Sequence, residues 1–408
     1  MIRIVALNSL GFFFLDFIIP YIASQKLNAT GVQIGLIFSV QVMGIMISSL
    51  FVGFLTDRVK SRRKLILLGS FGRGSAYFIL YTGIILNSLI GIGIGTFSIG
   101  FFAGFFWIPF NTLIAEKSNK NHRSHAYGKR DSAIGIGMLV GSIFGFIIFG
   151  VSILNTDNPF IIYSAILLFG IANFSAGILF LLSVDETIKF SNDNNMQNEN
   201  ETNSTENTNR NRIMFLGLVF LSIVLLLASI NGSLGRPFLN VYILEEVVSD
   251  PLIATFAYLP SGIISMIIAP KLGKIADRIK PSIGILIFST FGAIFTWFLI
   301  STDNVIIFAI LLVFDMTIIN TANLIFQNLV SRITSKHRGK IFGFFQFFGN
   351  VGATIGPILG GIVLDSFGLK APFLISIVVE LCLIPFYIIL VHIIKPHLRE
   401  KYDENVKT

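Results

Sequence analysis

Five ionisable residues stand inside long apolar stretches of this 408-residue chain: Asp16, Arg73, Arg236, Asp315 and Glu380. A charged group at the centre of a bilayer costs about 3 kcal/mol or more unless it faces a partner or a wet cavity, so each is a candidate for function. A carboxyl in such a place can alternate between charged and neutral as its surroundings change, which is the chemistry of proton coupling. An arginine there can bind an anionic group or hold a carboxylate ionised. At about 1.5 Å per helical residue, Asp16 lies about 18 Å from Ile4 and Asp315 about 15 Å from Val305, both close to mid-depth. Helical spacing stacks Asn8, Phe12, Asp16 and Pro20 on one face and Ser229, Ser233, Arg236 and Asn240 on another. Asn320, Asn323 and Gln327 extend the polar line that begins at Asp315. A polar stripe on an apolar helix is expected to face water or a ligand; the alternative for the charges is a permanent structural ion pair.

The elements that must carry these residues are long apolar helices. Hydrophobic residues make up 53% of the chain and charged residues 13%, about half the roughly 25% of a soluble domain. That balance excludes a soluble enzyme and fits a chain that crosses a bilayer many times. A single cysteine, Cys382, excludes an intrachain disulfide, and the 5 His show no zinc-site spacing. There is no glycine-rich phosphate loop with its Lys and no nucleophile elbow, so neither an enzyme nor a bound cofactor is expected. Apolar runs lie near 4–24, 33–55, 65–86, 89–114, 131–153, 160–182, 213–240, 252–270, 282–301, 305–330, 341–364 and 371–394. Most reach the ~20 residues that span a bilayer core, predicting 12 transmembrane helices with both termini on one side. The first run lacks a strong basic region and a small-residue cleavage site and reads as a retained helix.

Lys and Arg gather in alternate gaps, and only Lys26, Arg73, Arg236 and Lys370 of the 30 fall outside that face. The positive-inside rule makes the basic face, with both termini, cytoplasmic. The net charge of +8 is then a topology signal, and no nucleic-acid partner is expected. Between Ser191 and Asn209, eight Asn and four acids surround one strongly apolar residue, Met196, the composition of a tether. Asn200 and Asn203 open glycosylation-type triplets, read on a cytoplasmic loop as chance matches in an Asn-rich run. The expected organisation is a six-helix bundle over 1–186, a linker over 187–212, a second bundle over 213–395 and a tail over 396–408.

The halves echo each other. Gly53, Asp57, Arg58 and Lys60 recur 220 residues later as Gly273, Asp277, Arg278 and Lys280. Arg123, Gly128, Gly137, Gly141 and Gly145 recur 215 residues later as Arg338, Gly343, Gly352, Gly356 and Gly360. Matches at two nearby offsets point to a duplicated six-helix unit, an organisation typical of secondary transporters. The run Gly53-Phe-Leu-Thr-Asp57-Arg58-Val-Lys-Ser-Arg62-Arg63-Lys64 resembles the loop motif between helices 2 and 3 of the major facilitator superfamily. The resemblance extends over the whole chain through span count, central loop, orientation and the degenerate second copy. One departure is that Lys60 and Ser61 stand where the family usually has Gly then a basic residue.

Physically, Gly53 is expected to let helix 2 pack closely as it leaves the membrane. Asp57 can accept from Arg62 or cap a helix N-terminus, where negative charge gains about 0.3–1 kcal/mol. The resemblance implies that Asp57 contacts the start of helix 11 near Gly339 and holds the inner gate shut; a solvated basic loop serving only topology is the alternative. Gly352, Gly356, Pro357 and Gly360 match the family's glycine-proline pattern. Helix 5 keeps Gly137, Gly141 and Gly145 but has Ser142 and Phe146 in place of Pro and Gly, which weakens an antiport reading. These glycines are expected to let gating helices touch, or simply to pack closely. The resemblance also implies a central cavity lined by helices 1, 4, 7 and 10, with Trp107 and Asn111 the lining candidates on helix 4.

These readings converge on an all-α integral membrane protein of two pseudo-symmetric six-helix bundles. The expected function is alternating-access transport driven by a proton or sodium gradient: export of a drug-like or amphipathic molecule, or alternatively uptake of a sugar or organic acid. A non-transporting receptor or scaffold is the reading from another class. The expected setting is the cell membrane, the expected partners a small-molecule substrate and lipid, and the expected functional unit a monomer.

Overall fold

The apolar runs fold as helices, several of which begin or end at Gly, Pro or Asn, as at Asn8, Gly31, Asn155, Pro251 and Pro281, while Pro20, Pro109, Pro357 and Pro385 lie inside helices. The computed structural model describes residues 1–59, 61–117, 123–185, 206–278, 281–331 and 338–394. Among the described residues there is no strand. The helices are α1 (Ile2–Asn8), α2 (Phe12–Tyr21), α3 (Gly31–Arg58), α4 (Arg63–Ile85), α5 (Leu89–Lys117), α6 (Arg123–Asn155), α7 (Pro159–Ile162) and α8 (Ala165–Ser183). They continue as α9 (Glu206–Leu234), α10 (Leu239–Tyr242), α11 (Pro251–Arg278), α12 (Pro281–Leu299), α13 (Val305–Ser331), α14 (Arg338–Phe367) and α15 (Ala371–Ile394).

Every expected apolar run is helical. Three of them are interrupted: α1 and α2 share the first, α7 and α8 share the sixth across a turn at Tyr163–Ser164, and α9 and α10 share the seventh with a 3-10 turn at Arg236–Phe238 between them. The first and the seventh each close on a π turn, Ile22–Lys26 and Ile243–Val247. Among the described residues nine helical stretches are long and apolar enough to cross a membrane, with shorter apolar segments at Pro251–Ser265 and Ile283–Leu299. The remaining span, α4, carries Arg73 at its centre.

The protein divides into two compact units. One comprises Met1–Ser191, Arg236–Leu259 and Pro357–Leu369, so it gathers the first six spans together with two segments from the second half of the sequence. The other comprises Asn192–Gly235, Pro260–Gly356 and Lys370–Thr408. In the first unit, a core of Ile4, Val5, Ile66, Phe106, Phe110 and Phe180 lies toward the basic ends of the helices. Phe14, Phe17, Phe146, Phe149 and Phe169 form a second, edge-to-face cluster around α2. Phe51, Phe54 and Phe144 are exposed, whereas the ring clusters are core.

The sequence reading of Gly53 as a close-packing residue is not what the structure shows. A Cβ at Gly53 would meet nothing within 4 Å. The stripe of α3 that packs on α5 runs through Gly44, Ser48, Val52 and Thr56, one position off Gly53. Gly44 abuts the Phe97 carbonyl and Ser48 abuts Gly104, while Val52 and Thr56 are buried.

Candidate functional site

The first span breaks at Ser9–Gly11. Gly11 adopts φ 91°, a left-handed conformation that glycine takes without strain, and the Phe169 ring occupies the space a side chain would need. The Ser9 hydroxyl donates to the Val5 carbonyl at 2.9 Å and helps close α1. α2 then carries Asp16, whose Oδ2 accepts from Arg236 Nη2 at 2.6 Å. The carbonyl of Asp16 would ordinarily bond the N–H four residues on, but that residue is Pro20, which has none. Asn240 Nδ2 fills the vacancy, donating to the Asp16 carbonyl at 2.7 Å. Tyr258 stacks on Phe13 with ring centroids 4.7 Å apart and tilts against Phe17 at 5.6 Å, walling the pair with aromatic surface. The Asp16 side chain retains 23% of its exposure and that of Arg236 64%, so the pair is only partly enclosed by the protein.

Asp16 and Arg236 are separated by 220 residues, as are Pro20 and Asn240. That is the offset relating the two copies of the loop motif, so the pair joins equivalent positions of the repeat. The offset was the signal that could have identified the partnership from sequence.

Further contacts close the helix ends opposite the basic loops. Glu245 accepts from Ser24 Oγ at 2.8 Å and from Gln25 Nε2 at 3.3 Å. Asp365, at the end of α14, accepts from the Gly31 N–H at 2.6 Å and the Val32 N–H at 3.0 Å, placing a carboxylate on the N-terminus of α3. Thr30 and Gln33 complete that terminus as a capping box. Here α3 and α14 touch backbone to backbone, Gly35 against the Pro357 carbonyl and Gly361 against the Gly31 carbonyl. Sequence reasoning missed Asp365; the Thr30-x-x-Gln33 box was its legible counterpart.

The two glycine stripes pack on the interrupted spans. Gly137 abuts the Ala6 carbonyl, Gly141 abuts Leu10 and Gly11, and Gly145 abuts the Phe14 ring, each one turn further along the first span. In the second unit Gly352 abuts Leu226 and Ser229, and Gly356 abuts Ile230 and Ser233. Gly360 and Pro357 are buried.

The straight polar stripes expected from helical spacing do not survive the interruptions. Asn8 lies before the break and turns to Arg73, whereas Asp16 lies after it and turns to Arg236. Ser229 donates to the Gly349 carbonyl at 2.5 Å and Ser233 back-bonds to the Ser229 carbonyl at 2.7 Å, so both serve packing on α14. Asp315 is buried and accepts from Thr296 of α12 at 2.8 Å. Glu380 accepts from Asn231 at 2.9 Å. Trp107 packs edge-on to Phe106 at 5.0 Å, and Asn111 accepts from Arg130 Nη1 at 2.7 Å beside the Arg130–Asp131 ion pair. Arg58 lies over the Phe54 ring at 3.8 Å, and Arg62 stands at the start of α4. The side-chain placements of Asp57, Asp277, Arg278, Asn323 and Gln327, and the surroundings of Gly273, lie outside the described residues. Among the described residues no group of three His, Cys, Asp or Glu side chains could hold a metal.

Helices interrupted where charged groups meet, in a chain of repeated membrane spans, are the construction of a secondary transporter. The family model for the Major Facilitator Superfamily matches residues 3–334 and 321–406, and the chain belongs to that family. It is thus a multi-pass integral membrane protein with the twelve-helix fold, a member of a family of small-molecule transporters. It is 25% identical over 367 residues to multidrug resistance protein MdtG of Escherichia fergusonii, covering 87% of this chain and 83% of that protein. MdtG of Dickeya zeae is 27% identical, with 89% and 85% covered. Among solved structures, a bacterial homologue of the human lysosomal transporter Spinster superposes with a TM-score of 0.77, covering 98% of this chain and 97% of that one. At 12% identity that likeness is one of fold.

Proposed function

We propose that this transporter exports a drug-like or amphipathic small molecule by alternating access, driven by the proton gradient, with its basic face and both termini in the cytoplasm. The observation that carries the reading is the Asp16–Arg236 ion pair, held at a broken helix and still partly exposed. A proton arriving on Asp16 replaces the guanidinium as the carboxylate's partner. Arg236 is then released, and the contact between the first and seventh spans loosens. Departure of the proton restores the charge and the pair. An ion pair at this position converts a proton into a mechanical event: protonated Asp16 is neutral, and the released Arg236 keeps its charge on the exposed side of the site. The resemblance to MdtG proteins, named for multidrug resistance, supports export, and the Phe and Tyr side chains around the pair suit an apolar or aromatic body.

The test is flux in proteoliposomes under imposed pH or sodium gradients with ethidium and other amphipathic dyes. Asp16→Asn and Asp315→Asn are compared with the native chain. Asp16→Asn is expected to abolish pH-driven flux while downhill exchange persists. Unchanged gradient-driven flux in Asp16→Asn would reject the coupling role, and stimulation by a sodium gradient alone would replace the proton as the coupling ion.

A further inference from the structure

Arg73 takes no part in the exchange just described, yet its side chain is wholly buried in the middle of α4. Among the described residues no carboxylate pairs with it. Its partners are instead supplied by the break in the first span. The Asn8 carbonyl, which a continuous helix would satisfy with the N–H of Phe12, accepts from Arg73 Nη1 at 3.0 Å. The Asn8 side-chain oxygen accepts from the same nitrogen. The guanidinium lies 4.7 Å from the centroid of the Phe12 ring, on the far side of the break. One turn along α4, the Tyr77 hydroxyl donates to the Leu10 carbonyl at 3.4 Å. One turn the other way, Ser70 accepts from Asn8 Nδ2 at 3.4 Å and donates to the Asn173 carbonyl at 2.6 Å. Ser70, Arg73 and Tyr77 share one helix face, and that face is spent on the ends of the interrupted helix.

A membrane span can be broken only where the freed carbonyls find donors. We propose that Arg73 is the positioning residue that holds the first span broken at Ser9–Gly11, and so sets the direction in which α2 presents Asp16 to Arg236. The opposite side of the break is gripped by Gly137 and Gly141 of α6, so Arg73 supplies the polar half of the clamp and the glycine stripe the steric half. Without the guanidinium, the Asn8 carbonyl regains its best partner by closing the helix onto Phe12. That rotates and lifts α2 relative to Arg236. The proposal rests on the reading of Asp16 and Arg236 as a working pair but concerns their placement, which can be measured without transport.

The experiment uses the full chain in lipid nanodiscs in a Cys382→Ser background. The Phe13→Cys/Tyr258→Cys pair reports α2 against the segment that follows the seventh span. The Tyr81→Cys/Phe160→Cys pair, native neighbours through a 2.8 Å hydrogen bond, reports the same unit away from the break. Cross-linking rates are measured with a short bis-methanethiosulfonate. Losing hydrogen bonds from a charged group, Arg73→Gln is expected to slow the first pair roughly tenfold, with partial recovery in Arg73→Lys, and to leave the second unchanged. Asn8→Ala, which keeps the buried cation and the backbone acceptor, is expected to slow the first pair roughly threefold and serves if Arg73→Gln does not fold. Native rates in Arg73→Gln, or in Asn8→Ala where only that variant folds, overturn the proposal. Equal slowing of both pairs overturns it too, because Arg73 would then be a general stabiliser. The cross-link reads geometry alone: the expected result beside unaltered flux in Asp16→Asn would leave the positioning role standing and remove the coupling role.

Discussion

The hydrogen bond from Asn240 to the Asp16 carbonyl exists because Pro20 cannot make it. A buried carbonyl left without a donor costs about 1–3 kcal/mol, so Asn240→Ala is expected to lower stability by about that much and to weaken the seat of the ion pair. Pro20→Ala restores the backbone donor, which makes the Asn240 amide redundant. The two losses should therefore be strongly non-additive in a double-mutant cycle, read as thermal unfolding midpoints in detergent. Strict additivity would show that the amide serves some other acceptor. The charged residues themselves could be picked out in the sequence, since five ionisable groups in apolar runs are conspicuous. Helical spacing could not supply their partners, because it assumes a continuous helix and both relevant spans are interrupted; the 220-residue repeat offset was the one feature linking Asp16 to Arg236. Asn8 and Asp16 were counted on one face, yet the turn at Ser9–Gly11 sends them to Arg73 and Arg236 respectively. Arg73 has no partner legible in the sequence for the same reason: it bonds a carbonyl exposed by a break that only Gly11 hinted at.

At the scale of elements, α3 carries two glycines with opposite surroundings. Gly35 has the Pro357 carbonyl where a Cβ would stand, whereas Gly53 faces open space. Overpacking a close helix contact costs typically about 1–3 kcal/mol, so Gly35→Ala should drive α3 from α14 and lower flux at least tenfold. Gly53→Ala should transport normally and gain up to about 1 kcal/mol of helix propensity. Flux assays on the two variants at matched expression decide the matter, and a silent Gly35→Ala would mean that the α3–α14 approach is incidental. The contrast also marks where motif and packing part. The loop motif drew attention to Gly53, but glycine identity does not reveal which helix face meets a neighbour. The stripes Gly137–Gly141–Gly145 and Gly352–Gly356 were legible because repetition at four-residue spacing selects a face, although not the helix it would meet.

For the whole molecule, the twelve-span fold was readable because each span is an autonomous apolar run, and its membership of the Major Facilitator Superfamily followed from the duplicated motif. The grouping of Arg236–Leu259 and Pro357–Leu369 with the first six spans was not, since it depends on contacts such as Asp365 to Gly31 across more than 330 residues. Orientation is a separate property, set by charge and not by packing. Basic clusters lie in and beside the loops after α3 and α5, and Lys189, Arg210 and Arg212 lie between the sixth and seventh apolar runs, whereas Ala29–Thr30, Thr156–Asn158 and Thr302–Asn304 carry no Lys or Arg. Basic residues within short loops resist translocation, so the decision is distributed over many loops and should be robust to the loss of any one. A fluorescent protein fused after Thr408 is therefore expected to fluoresce. Alkaline phosphatase inserted at Asp157 or Asp303 should be active, and phosphatase fused at the C-terminus inactive. Neutralising Arg62, Arg63 and Lys64 together should reduce gating or expression without inverting these reporters. Inversion by those three substitutions would show that one loop, and not the sum, orients the chain.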